Sequence, residues 1–166
     1  MDKPIVRIAL QTDKPAIQEL NTHAFGQEDE ARIIRQLETD GDVMLQLVAV
    51  MEDRIVGHLL FYGIGVREKI GAVGLGPMSV DPWVQREGVG TAMINAGLVM
   101  IRDAGAPIVF VLGHDTYYPR FGFSVAATAE FQSIYKGPHF FALRFRPGPP
   151  MSGELIFPRA FGEPRA

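Results

Sequence analysis

The chain contains no cysteine among its 166 residues. Disulfides, cysteine-ligated zinc, iron–sulfur clusters and any cysteine nucleophile or cysteine-bound acyl intermediate are therefore excluded. Long hydrophobic runs are missing too. Apolar stretches such as Ile108–Leu112 have strand length, far short of the ~20 residues a membrane-spanning helix needs. Met1-Asp2-Lys3-Pro4 leads into alternating residues rather than an apolar signal core, so a cytoplasmic protein is expected. Neither sign of charge dominates: 16 Lys and Arg stand against 19 Asp and Glu, a net charge of -3. A basic nucleic-acid footprint is not expected from that balance. The composition that is present, 47% hydrophobic and 21% charged, is that of a globular protein. Its length suffices for a core without a disulfide or metal staple.

A single domain over 1–166 is expected, with a core at about 5–145 and an extended, irregular tail at 146–166. Ile5 to Leu10 reads as a strand. Thr12 or Asp13 then caps a helix with Pro15 in its first turn and Ile17, Leu20 and Ala24 on its apolar face. Glu28, Asp29 and Glu30 open a second helix, where acidic groups suit the positive end of the dipole. Val43 to Met51 and Arg54 to Tyr62 form a hairpin around Glu52-Asp53. Ala72 to Val80 is a further strand, and Gly74, Gly76 and Pro77 within it signal a bulge or a close backbone approach. Val89, Met93, Ala96 and Met100 recur at helical spacing in a helix from about Gly88 to Ala104. A buried strand, Ile108 to Leu112, comes next. An aromatic loop from Gly113 to Phe123 and a strand from His139 to Phe145 complete the core. The order is that of an α+β fold.

The chemistry-bearing stretch runs from Met78 to Thr91. A strand ends, the chain turns at Asp81-Pro82-Trp83, and a glycine-containing loop opens a helix. Free backbone N–H groups at a helix start attract anions, and Gly88 and Gly90 remove side chains that would block a phosphate from reaching them. The Gly-Lys-Ser/Thr ending of a Walker loop is missing, and the next glycine, Gly97, is wrongly spaced for a dinucleotide fingerprint. On spacing alone, a tight turn at a helix start explains the glycines equally well. The lone tryptophan, Trp83, is expected to pack or to touch the rim of the site.

Three motifs together widen the pattern: Val80-Asp81-Pro82, Gln85-x-x-Gly88-x-Gly90, and Tyr117-Tyr118-Pro119-Arg120-Phe121-Gly122-Phe123. They resemble the GNAT superfamily of N-acetyltransferases, and the last resembles a bacterial subgroup of predicted acetyltransferases. The likeness in element order extends from Ile5 to about Phe123. It implies the GNAT acyl-CoA N-acyltransferase fold, a central mixed, mostly antiparallel sheet flanked by helices. It also implies acetyl-CoA as cofactor, no metal, and transfer of acetyl to a primary amine by direct attack in a ternary complex. Met78, Ser79 and Val80 would run beside the pantetheine arm. Gln85 carries the signature, and Arg86, Glu87, Gly88, Val89, Gly90 and Thr91 would wrap the pyrophosphate. Tyr118 would protonate the leaving thiolate. The general base is open among Glu30, His58, His114, Asp115 and water. The acceptor, a small-molecule or peptide amine, is not legible. The tail either covers the acceptor groove, mediates self-association as a homodimer, or wraps the surface. The alternative function is a non-catalytic acyl-CoA-binding or regulatory module on the same fold.

Overall fold

The computed structural model describes residues 3–66, 69–150 and 152–162. β1 (Ile5–Ile8) leads to α1 (Lys14–Phe25) and α2 (Asp29–Asp40), then to β2 (Val43–Met51), β3 (Arg54–Val66) and β4 (Lys69–Val80). α3 (Val89–Asp103) and β5 (Ile108–Leu112) follow, then β6 (Phe131–Gln132), β7 (Phe140–Arg144) and β8 (Gly153–Ile156). Along the sheet the order is β1-β2-β3-β4-β5-β7. Neighbours are antiparallel except β4 and β5, which run parallel. The α+β class with a mixed, mostly antiparallel sheet is thus the observed one.

Strand alternation sorts the core into two layers, because successive side chains point to opposite faces. On one face Leu59, Phe61, Val109, Val111 and Phe141 pack with α3. On the other Leu60, Tyr62, Ile64, Ile108 and Phe110 pack with residues of α1, α2 and the C-terminal strands. α1 and α2 stop at Gly26 and Gly41, both left-handed, as helix ends favour. Asp13 precedes α1 without capping it. Its carboxylate turns back to accept the Leu10 N–H at 2.7 Å and to pair with Arg7 at 2.7 and 3.1 Å.

Further sequence expectations need adjustment. The α3 face is centred on Met93, Gly97 and Ile101 with Ile94 and Leu98 beside it, and Met100 is 37% exposed. The 3.6-residue period carries the stripe past position 100, and Gly97 lets the Phe61 ring come within 2.5 Å of where a Cβ would stand. β3 and β4 reach further than expected, to Val66 and back to Lys69; glycines 63, 65 and 71 masked that extension, since glycine weakens strand signals. β6 was too short to carry a period. Finally, the chain after Pro147 is not irregular throughout. β8 pairs with the end of β3, Gly65 to Ile156 and Val66 to Leu155, on the edge that β2 leaves free.

Candidate active site

The sheet forks where the parallel pair ends. β4 and β5 are paired only from Val73–Val109 to Leu75–Val111. Beyond Leu75 a register shift against β3, with Phe61 opposite Leu75 but Leu59 opposite Met78, marks a bulge at Gly76-Pro77. Met78, Ser79 and Val80 then pair with β3 alone, so every second main-chain N–H and C=O on that segment faces the opening. The Ser79 side chain is buried, with no hydrogen-bond partner for its oxygen among the described residues. The segment therefore offers a ligand its backbone and the half-buried Met78 side chain.

The glycine loop lies at the mouth of this fork. Gln85 is extended and its amide donates to the Val80 carbonyl at 3.2 Å, tying the loop to the strand end. Arg86 (φ 70) and Gly88 (φ 84) are left-handed, the alternation that turns successive N–H groups into an anion-binding nest. Arg86, Glu87 and Thr91 are exposed, while the Val89 side chain belongs to the core. No side chain among the described residues caps the start of α3, so its first-turn N–H groups are available to a ligand. Asp81 accepts the Trp83 N–H at 3.0 Å and fixes the preceding turn. Trp83 itself is 86% exposed, contrary to a packing role, because that turn projects it outward.

Tyr118 is buried in the core layer that α3 covers, against Phe123, Phe141 and Tyr117. Gly113 admits it, since a Cβ there would lie 2.2 Å from the Tyr118 ring. Burial, aided by the neighbouring Tyr117 phenol, pushes the Tyr118 hydroxyl up to about 12. Tyr117 has a place the sequence did not indicate. Its hydroxyl lies 3.4 Å from Thr91 Oγ1 and, with Met78, flanks Gly90, where a Cβ would meet it at 3.2 Å. The aromatic loop is thereby joined to the start of α3.

Of the candidate bases, one faces a cavity. His58 is fully buried, between Gln46 Oε1 at 2.7 Å and Asn21 Nδ2 at 3.3 Å, and desolvation holds its imidazole down to about 4. It is a neutral core group. His114 and Asp115 are exposed in the loop after β5. Glu30, at the start of α2, lines a cavity of about 240 Å³ that opens at the fork beside Gly76, Pro77 and Leu112. The walls of the cavity are aromatic. Tyr62 packs on Phe161 with centroids 4.7 Å apart, Tyr135 on Phe157 at 4.7 Å, and Phe110 stacks on Phe140 at 5.5 Å. Two of these rings, Phe157 and Phe161, belong to the tail, so the tail forms a cavity wall.

Residues 6–126 match the Acetyltransferase (GNAT) domain family. The sequence is 38% identical over 122 residues to the uncharacterized N-acetyltransferase YjhQ of Escherichia coli K12, covering 70% of this chain and 67% of that protein. A GNAT acetyltransferase of Brucella melitensis, crystallised with acetyl-CoA, superposes with a TM-score of 0.83 at 30% identity, over 97% of this chain and 99% of that one. The fold is also that of YhbS from Escherichia coli, crystallised with CoA, with a TM-score of 0.88 at 24% identity over 98% of this chain and 96% of that one. The chain belongs to the GNAT acetyltransferase family.

Proposed function

We propose that the protein transfers an acetyl group from acetyl-CoA to a primary amine by direct attack within a ternary complex. The observation that carries the reading is the fork: a strand edge freed from Gly76 to Val80, an uncapped helix start at Val89, and Tyr118 in the same core layer as α3. When bound, acetyl-CoA supplies the activated thioester. The freed edge suits a pantetheine arm as an added strand, through the main chain of Met78, Ser79 and Val80. The nest from Arg86 to Thr91 suits a pyrophosphate, with Gln85 holding the loop and Glu87 directed to solvent. The Brucella relative's complex with acetyl-CoA supports that assignment.

The Tyr118 hydroxyl, at about 12, stays protonated across the working pH range and always presents a donor. Passing its proton to a thiolate of ordinary pKa near 8.5 is uphill by roughly 5 kcal/mol. Tyr118 is accordingly read as a hydrogen-bond donor that steadies the departing sulfur and keeps its own proton, while the sulfur gains the proton that the nitrogen loses. Main-chain N–H groups at the bulge would polarise the thioester carbonyl, and holding the amine beside it removes several kcal/mol of barrier. The acceptor enters from the cavity side, and the cytoplasm is the proposed compartment. Among the described residues no helix is long and apolar enough to cross a membrane.

The test is an acceptor screen with acetyl-CoA in which free thiol is monitored. Amine-dependent thiol release is the expected result. Tight acetyl-CoA binding without turnover of any amine would overturn the enzymatic reading in favour of a binding module.

A further inference from the structure

We propose, building on the acetyltransferase reading, that the acceptor is a small primary monoamine with an aromatic or branched apolar body and no carboxylate. The cavity bordered by Glu30 would be its site.

Three observations carry this. First, the walls are rings: Tyr62, Tyr135, Phe157 and Phe161 form one packed group beside the stacked Phe110 and Phe140. Such surfaces gain most from covering an apolar body, at about 25 cal/mol per Å² removed from water, and a planar body adds ring contacts. Second, the charge is one-sided. Glu30 is the only ionisable group besides the two tyrosines in the lining, which includes no lysine, arginine or histidine among the described residues. An ammonium finds a carboxylate and ring faces there. The carboxylate of an amino acid finds no cation, and desolvating it unpaired is costly. A polyamine's second ammonium would be driven into apolar walls for the same reason. Third, the volume is small: about 240 Å³ is below the ~300 Å³ at which ordinary ligand pockets begin. The cavity fits a single-ring or short branched body.

The cavity that Glu30 and the rings line also reaches the fork at Gly76, Pro77 and Leu112, so an amine bound within it has a path to the freed strand edge. In the reaction the ammonium gives one proton to water and the freed nitrogen bonds to the acetyl carbon. The C–S bond breaks with its electron pair on sulfur, and the nitrogen loses a second proton as the sulfur gains one. Net, one proton is released for each amide formed.

The experiment uses the whole chain, acetyl-CoA and a panel read by thiol release: phenethylamine, isoamylamine, phenylalanine, spermidine and a lysine-containing peptide. The expected result is a kcat/KM for phenethylamine at least tenfold above those for phenylalanine, spermidine and the peptide. Glu30→Gln should raise the phenethylamine KM at least tenfold. It should leave the acetyl-CoA KM unchanged, and also the inhibition constant of neutral 2-phenylethanol. Turnover of phenylalanine, spermidine or the peptide at a rate equal to or above that of phenethylamine overturns this inference alone. A Glu30→Gln variant with an unchanged phenethylamine KM does the same. Failure of every amine, with or without acetyl-CoA binding, overturns the acetyltransferase reading and this inference with it.

Discussion

Arg159 donates two hydrogen bonds to Asp40, at 2.8 and 2.7 Å, across a sequence separation of 119 residues. This pair fastens the tail to the end of α2, immediately before Phe161 joins Tyr62 in the cavity wall. Arg159→Ala should release that wall. The expected outcome is a several-fold higher acceptor KM with unchanged acetyl-CoA KM, read by steady-state kinetics. The Arg159 guanidinium and then the Gln36 amide hold the Asp40 carboxyl at about 2. A carboxylate lowered on folding stabilises above its unfolded value near 3.8 and loses that contribution only as pH falls toward 2. The latch is accordingly insensitive to pH between 5 and 9, and an acceptor KM that tracks Asp40 titration in that range would contradict it.

Tyr118→Phe should lower kcat by about 10²-fold, within the range typical for loss of one positioned hydrogen-bond donor, with acetyl-CoA affinity kept. Because burial raises the hydroxyl to about 12, the wild-type pH profile should show no loss of activity from tyrosine ionisation below pH 10. A Phe variant with full turnover would end the donor assignment. Gly113→Ala tests the same residue from behind, since the added methyl must displace the Tyr118 ring. It should lower kcat by moving the hydroxyl while leaving it chemically in place.

Backbone and charge can be separated at the glycine loop. Gly88→Ala places an L side chain at φ 84, a strain of roughly 1–2 kcal/mol, and should weaken acetyl-CoA binding about tenfold. Arg86→Gly removes a cation but relaxes another left-handed position. If amides carry the anion, its affinity should stay within about threefold. Trp83, exposed in the adjoining turn, is the single tryptophan of the chain and serves as the fluorescence reporter for both titrations.

His58 sets an acid limit on stability. Desolvation depresses its folded pKa to about 4, whereas unfolded imidazole titrates near 6.5. Between those values the unfolded state binds more protons, so stability falls as pH drops from 6.5 to 4, by roughly 3 kcal/mol in all. Thermal midpoints at pH 7 and 4.5 should show that fall, and His58→Gln should flatten it even where the variant is less stable at pH 7. An unchanged pH slope in the variant would assign the acid sensitivity elsewhere.

The glycine loop was legible in the sequence because its signal is local: Gly88 and Gly90 sit within one turn of a periodic apolar helix. Tyr118 was legible through its register with Gly122 and Phe123. The cavity was not, because its walls come from residues 30, 62, 110, 135, 157 and 161, which no local spacing connects. His58 read as a candidate base because a mid-strand histidine looks the same in a site or a core. Only the Gln46 and Asn21 partners, contributed by β2 and α1, decide between them. The tail looked irregular because proline interrupts it, yet Leu155 and Ile156 found a vacant strand edge on β3.

The two-layered core has an evolutionary consequence. Tyr118, α3 and the glycine loop share one face of the sheet, while α2, Tyr62 and the tail share the other. Substitutions on the tail, α2 and the Tyr62 side of the cavity therefore leave the layer of Tyr118 and α3 in place, although Leu75 and Val111 of that layer also border the cavity. A lineage could exchange its tail and one helix face for new ones, and change what it modifies, while inheriting its donor chemistry intact.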